Sequence, residues 1–307
     1  VSDGVMESTL PQVAATALVN ASFAWIVGVL ASRFWLVNPA TAWQRSAAKR
    51  LSSAMSAGLI VCAASIFLSL WTESSVMGDV AWLDAWPACA RMMATTHYGH
   101  AGVAALVLLV ATMVAHRMLD RPDAGMVYMA SIAALLLLVA AARVTIGHAF
   151  EHGPFRVAVA VEWLHLLLMA VWAGIVFVAG WLVLPHVLAN EAAPSGERSA
   201  YLTSMSNWAA AALAAILASG AYNAYRVLTS PRDLVDVDYG NVLLFKIALV
   251  LVAMALGGFN KLVGLPAAEA SQAGLRKVIA VLRIESIALL LVLIAAAVLA
   301  GSAPPAQ

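Results

Sequence analysis

The chain has 307 residues, of which 63% are hydrophobic and only 11% charged, and its 17 Lys and Arg nearly balance 16 Asp and Glu to leave a formal net charge of +1. A soluble domain covers its surface with about a quarter charged residues, so this composition, with a mean hydropathy of +0.91, belongs in a bilayer. No Lys/Arg run forms a basic patch, which argues against nucleic acid as a partner.

Runs of about 18 or more residues with few charges cross a hydrocarbon core of about 30 Å as helices. Eight occur in chain order: Gln12 to Trp35, Leu51 to Trp71, Met92 to His116, Gly125 to His148, Val157 to Pro185, Tyr201 to Leu228, Tyr239 to Leu262 and Arg276 to Ala300. Turn residues separate them, as at Asn38-Pro39, Pro122-Asp123, Gly153-Pro154, Pro194-Ser195-Gly196 and Ser230-Pro231. A β-barrel would instead show alternating segments of about ten residues. The expected fold is an all-α integral membrane protein, a bundle of eight transmembrane helices. It divides into an N-terminal four-helix half, 1–155, and a C-terminal four-helix half, 156–307.

Lys and Arg accumulate in cytoplasmic loops. One set of loops holds Arg33, Arg45, Lys49, Arg50, Arg117, Arg121, Arg198, Lys261, Arg276 and Lys277, and the other holds only Arg91, Arg156, Arg226 and Arg232. The richer set is expected in the cytoplasm and both termini in the periplasm, as in a bacterial inner (plasma) membrane. Trp71, Trp82, Trp86 and Trp163 then fall near the outer boundary, and Trp35, Trp43 and Trp181 near the inner one, as interfacial anchors do.

This topology gives the histidines depths. His97 and His100 lie one turn apart at the outer end of the third span, His148 and His152 close the fourth, and His165 sits in the fifth, about 12 Å beyond Val157 at 1.5 Å per residue. Five histidines on three consecutive helices are expected to converge on one outward-facing metal pocket, while His116 and His186 lie at cytoplasmic ends. Imidazole binds copper, zinc, iron and nickel, and thioether sulfur selects Cu(I). Glu162, His165, Met169 and Trp172 follow at i, i+3, i+7 and i+10, one stripe of the fifth span. A carboxylate, an imidazole and a thioether at increasing depth suit a cation moving inward. The plainer alternative is that histidines near helix ends are interfacial and that Met fills packing gaps. Cys62 and Cys89 lie at different depths, so no disulfide is expected; Cys62 reads as packing and Cys89 as the better placed of the two.

Arg143, Lys246, Arg283 and Glu285 also fall inside spans, where a charge costs about 2.5 to 3.5 kcal/mol on insertion scales and must face a partner. Arg143 and Glu162 are the expected pair, with Lys246 at a similar level. Arg283 and Glu285 read as structural.

The strings Glu162-Trp163-Leu164-His165 and Ala170-Val171-Trp172-Ala173-Gly174 resemble the start of the copper resistance protein D domain (CopD, PcoD). Ser219-Gly220-Ala221-Tyr222-Asn223-Ala224-Tyr225, Tyr239-Gly240-Asn241-Val242-Leu243-Leu244-Phe245-Lys246, Leu256-Gly257-Gly258-Phe259-Asn260-Lys261 and Leu282-Arg283-Ile284-Glu285 continue the resemblance in order, from about Glu162 to Ala300. The resemblance implies copper resistance and homeostasis: copper, as Cu(I) or Cu(II), moved from periplasm to cytoplasm in partnership with a separate periplasmic copper carrier of the CopC type. Glu162, His165 and Lys246 match the family pattern, whereas His97, His100, His148 and His152 rest on placement alone. No Gly-Lys-Ser/Thr nucleotide motif appears, so passive or ion-coupled rather than ATP-driven transport is expected, and the chain is not expected to be an enzyme. The alternatives are a b-type haem membrane protein for electron transfer or cupric reduction, with His100 facing His148 or His165, and a copper-binding sensor.

Overall fold

The structure is a computed structural model that describes residues 9–36, 41–121, 125–146, 157–189, 195–228, 230 and 232–302. All regular structure among the described residues is helical. The chain forms α1 (Leu10–Phe34), α2 (Ala42–Met77), α3 (Trp86–Thr95), α4 (His97–Leu119), α5 (Gly125–Val144) and α6 (Val157–Val178). It continues with α7 (Leu184–Ala189), α8 (Ser195–Val227), α9 (Asp233–Asp236), α10 (Asp238–Phe259), α11 (Leu265–Ala270) and α12 (Gln272–Ala300). Among the described residues eight helices are long and apolar enough to cross a membrane, with α6–α7 and α10–α11 each counting as one crossing of 33 residues. An even number of crossings puts Leu10 and Ala300 at the same face of the bundle, here the terminal face; the other is the opposite face.

α1 runs through the middle, packed on α2, α5, α6 and α12. Its approach to α6 is set by two glycines: a Cβ on Gly28 would stand 2.0 Å from the Gly174 carbonyl oxygen, and one on Gly174 2.0 Å from that of Ala24. Lipid supplies no hydrophobic force between helices, so backbone contact of this kind, with its dispersion attraction, is what holds them. α6 in turn packs on α5, α8 and α12, and α10 packs on α12. The outward side of α10 shows Phe245, Leu251, Val252 and Phe259, as suits a helix bordered by lipid.

The fifth and seventh crossings share an irregularity. Each contains a π-helical turn, Ala179–Val183 and Asn260–Gly264, followed by Leu-Pro. Pro185 and Pro266 lack an N–H, and their rings would clash with the carbonyls of Trp181 and Leu262, four residues back; widening the turn relieves both problems. The Gly180 carbonyl then takes a hydrogen bond of 3.2 Å from Arg283 Nε, and the Arg283 guanidinium lies 4.7 Å over the Trp181 ring. Arg283 is therefore paired inside the bundle, as its place in a span requires.

Polar clusters tie the helices together near each face. At the opposite face Arg33 forms an ion pair with Asp120, whose second oxygen accepts from Ser52. His116, 1% exposed, sits beside them with Nδ1 3.0 Å from Tyr128 Oη and Nε2 3.2 Å from both Ser52 O and Ser56 Oγ. Toward the terminal face Gln12 donates to Glu73 at 2.7 Å and Arg143 to Asn20 Oδ1 at 2.5 Å. There Trp71 packs against Trp82 and Trp86 with ring centroids 6.2 and 6.3 Å apart.

Candidate functional site

His165 lies eight residues into α6 from the terminal face, Lys246 eight residues into α10, and Ser219 eight residues before the end of α8. All three therefore stand about 12 Å below their helix ends, and the fold brings them together. His165 Nδ1 is 2.9 Å from Ser219 Oγ. The Ser219 hydroxyl lies 2.8 Å from the Ala215 carbonyl, to which it donates its single proton. Toward the imidazole Ser219 Oγ can then only accept, so Nδ1 carries the hydrogen and Nε2 presents a lone pair. Gly220 gives the ring its room, since a Cβ there would lie 3.4 Å from His165 Cε1.

One turn nearer the terminal face, Glu162 Oε2 accepts a 2.6 Å hydrogen bond from Asn223 Nδ2. The Lys246 ammonium acts electrostatically on both Glu162 and His165, and Arg226 also acts on Glu162. Glu162, His165, Asn223 and Lys246 are half-buried and Ser219 is buried, so the site is a partly open cleft where α6 packs on α8, with Lys246 of α10 near enough to act on it. Met169 follows one turn below His165 and is buried in the core at 7% exposure. The set offers an imidazole oriented by Ser219, a carboxylate held by Asn223 in the field of Lys246, and a thioether deeper on the same stripe.

The other expected residues stand apart. His97 and His100 are exposed on the first turn of α4, with Nε2 atoms 3.1 Å from Thr145 O and 3.0 Å from Ala94 O. His148 and His152 lie outside the described residues. Among the described residues no three His, Cys, Asp or Glu side chains gather as a metal-binding group. Arg143 departs from its expected partner: it reaches Asn20 and lies 5.4 Å over Phe23 on α1, while Glu162 turns to α8 and α10. The two charges face different helices, a matter of rotation about the helix axis that depth does not reveal. Cys62 and Cys89 are free thiols, both fully buried, and Cys89 is thus a packing residue of α3.

Ser219 and Asn223 entered the sequence reading only as letters of a motif. Their i, i+4 spacing puts them on one helical face, but nothing in the sequence points that face at α6.

Residues 199–299 match the family model described as copper resistance protein D. The match covers about a third of the chain. No curated protein and no solved structure matches the chain. The matched stretch begins in α8 and ends at the last turn of α12, so it includes Ser219, Asn223, Lys246 and Glu285. Glu162 and His165 come from α6, ahead of it, so the site joins residues of the matched stretch to residues that precede it.

Proposed function

We propose that this multi-pass membrane protein carries copper as its cargo across a bacterial inner membrane, from periplasm to cytoplasm, with the terminal face in the periplasm. The observation that carries the reading is the fixed imidazole of His165. Metal-binding histidines almost always donate their second ring N–H to a neighbour, which fixes tautomer and ring orientation, and Ser219 accepts that hydrogen bond here. The copper resistance protein D match supplies the choice of metal.

In this reading His97, His100, His148 and His152 collect copper at the periplasmic mouth from a separate CopC-like carrier. The ion then passes to His165 Nε2 and the Glu162 carboxylate. Lys246 neutralises Glu162 while the site is empty, and the arriving cation takes over that role. Met169 is the next ligand inward, a soft donor suited to Cu(I). An inside-negative potential favours entry by about 2.3 kcal/mol per charge per 100 mV. The chemistry asked of the chain is binding and passage rather than bond making.

The test is metal analysis with an absorption spectrum on purified protein, wild type against His165→Ala, after loading with copper. Copper retained by the wild type without a Soret band, and lost in the variant, is the expected result and leads to uptake assays in vesicles. A Soret band that shifts on reduction would overturn it in favour of a membrane cytochrome.

A further inference from the structure

Below the His165 site the α6 stripe leads to a second buried acid. Glu285 is 2% exposed and adjoins Ser286, the central residue of the 29-residue α12. Trp172, at the end of the Glu162–His165–Met169 stripe, is within hydrogen-bonding reach of Glu285. It adjoins Ala173, the central residue of the crossing Val157–Ala189. The contact therefore lies at the bilayer midplane, where a charge is most costly and where ionisable residues mark ion and proton pathways. On its other side α10 approaches with Gly257, where a Cβ would stand 3.2 Å from Glu285 Oε1.

No ion pair reaches Glu285 among the described residues. Arg283, on the same helix, is turned to Gly180 and Trp181. The titratable groups on helices packed against α12 stand at other levels. Glu162, His165 and Lys246 lie in the cleft nearer the terminal face. Arg33 and His186 lie near the opposite face, with exposed Lys261 and with Glu269, which is bonded to Ser199. One turn beyond Gly257, Asn260 is 4% exposed, and neither its Oδ1 nor its Nδ2 has a hydrogen-bond partner among the described residues. Gly257, Asn260 and Gly264 share the face that α10 and its π turn set against α12, where a Cβ on Gly264 would meet Val278 at 2.9 Å. A buried amide left open in this way needs water or another polar guest to satisfy it. Half-buried and buried polar groups thus run from Glu162 and His165 through Trp172 and Glu285 to Asn260, from one face toward the other.

We infer that Glu285 is a proton-exchanging station on the cation path, its carboxyl kept neutral by a proton between ions and by the cation during passage. When a monovalent cation reaches the α6–α12 contact, the Glu285 O–H bond breaks and the proton leaves through water at Asn260 toward the opposite face. When the cation departs, a proton returns by the same route. One proton is exchanged for one Cu(I), no electron moves, and no net proton crosses the membrane. This inference rests on the transport reading above.

The experiment is infrared difference spectroscopy of purified protein, Cu(I)-loaded minus copper-free, together with Cu(I) uptake into proteoliposomes. Wild type, Glu285→Gln and Trp172→Phe are compared at equal thermal stability. The expected result is loss of a carboxylic-acid carbonyl band on loading, absent in Glu285→Gln and shifted in frequency in Trp172→Phe. Uptake is expected to be lost in Glu285→Gln while copper binding at His165 persists. A band unchanged by copper, or uptake by Glu285→Gln at the wild-type rate, overturns the proton exchange. Wild-type vesicles that take up no copper overturn the transport reading instead, and the difference band still decides whether Glu285 gives up its proton.

Discussion

A single hydrogen bond decides which nitrogen of His165 faces the cleft. Because Ser219 spends its proton on Ala215, Ser219→Ala removes the acceptor for Nδ1–H and frees the ring to rotate and change tautomer. Loss of such a supporting partner typically costs 10- to 100-fold in metal affinity, so copper titration of Ser219→Ala should show binding weakened by about that factor while the fold melts normally. Ser219→Thr, which keeps the hydroxyl, should stay near wild type. Asp120 makes a separate prediction, outside the helices. Burial opposes its charged form, yet hydrogen bonds from Arg33 and Ser52 and the Arg33 charge outweigh this and hold its carboxyl below the ordinary value of 3.8. A depressed folded-state value means stability that is present above the unfolded value and lost as pH falls through the folded one. The difference in melting temperature between wild type and Asp120→Asn should therefore be full at neutral pH and shrink below about pH 4. A constant difference across that range would show that the ion pair contributes nothing. The carboxylate and the histidine of the cleft were legible as residues, because charge and imidazole stand out in an apolar run. Ser219 and Asn223 were not, because a serine or asparagine in a membrane helix satisfies itself equally well on its own backbone.

The contact between α1 and α6 depends on the absence of two side chains. Gly174→Ala would drive a methyl group into the Ala24 carbonyl and part the helices, which overpacking data put at about 1–3 kcal/mol or more. Its melting temperature in detergent should fall well below that of Ala173→Gly, which only leaves a small void beside the same contact. The eight crossings were readable because their signal is length and apolarity, and no bilayer helix escapes that requirement. Their ends were less so: α2 begins at Ala42 and runs 36 residues, well before the apolar run that starts at Leu51. Its amphipathic first turns stay helical, helped by Gln44 Oε1, which accepts from the Thr41 N–H at 3.3 Å, and by Glu197, which accepts from Trp43 at 2.6 Å. The π turns also went unread, although Leu184-Pro185 and Leu265-Pro266 carry their cause in the sequence. Proline announces that a helix must adjust, but a kink, a break and a widened turn satisfy the missing N–H equally, and packing against Arg283 and α12 selects among them.

Across the whole molecule the lysine and arginine asymmetry underlies the proposal that the terminal face is periplasmic, and the buried native thiols make that proposal testable. With Cys62 and Cys89 shielded, an impermeant maleimide should label Asp84→Cys in intact spheroplasts and Arg121→Cys only after permeabilisation; the reverse pattern would invert the transport direction proposed here. Composition, the number of crossings and the likeness to copper resistance protein D were all determined by the sequence itself. Each follows from properties that sum along the chain: apolar length against bilayer thickness, charge at loop ends, and residue order within α8 to α12. The tertiary structure decided which of the buried polar groups meet. It set Glu162 against Asn223 and Lys246 rather than Arg143, kept His97 and His100 apart from His165, and joined Trp172 to Glu285. Depth in the membrane follows from counting residues, but a partner also depends on the rotation of each helix and on which helices are neighbours. Those are fixed by contacts such as Gly28 on Gly174, between residues far apart in the chain.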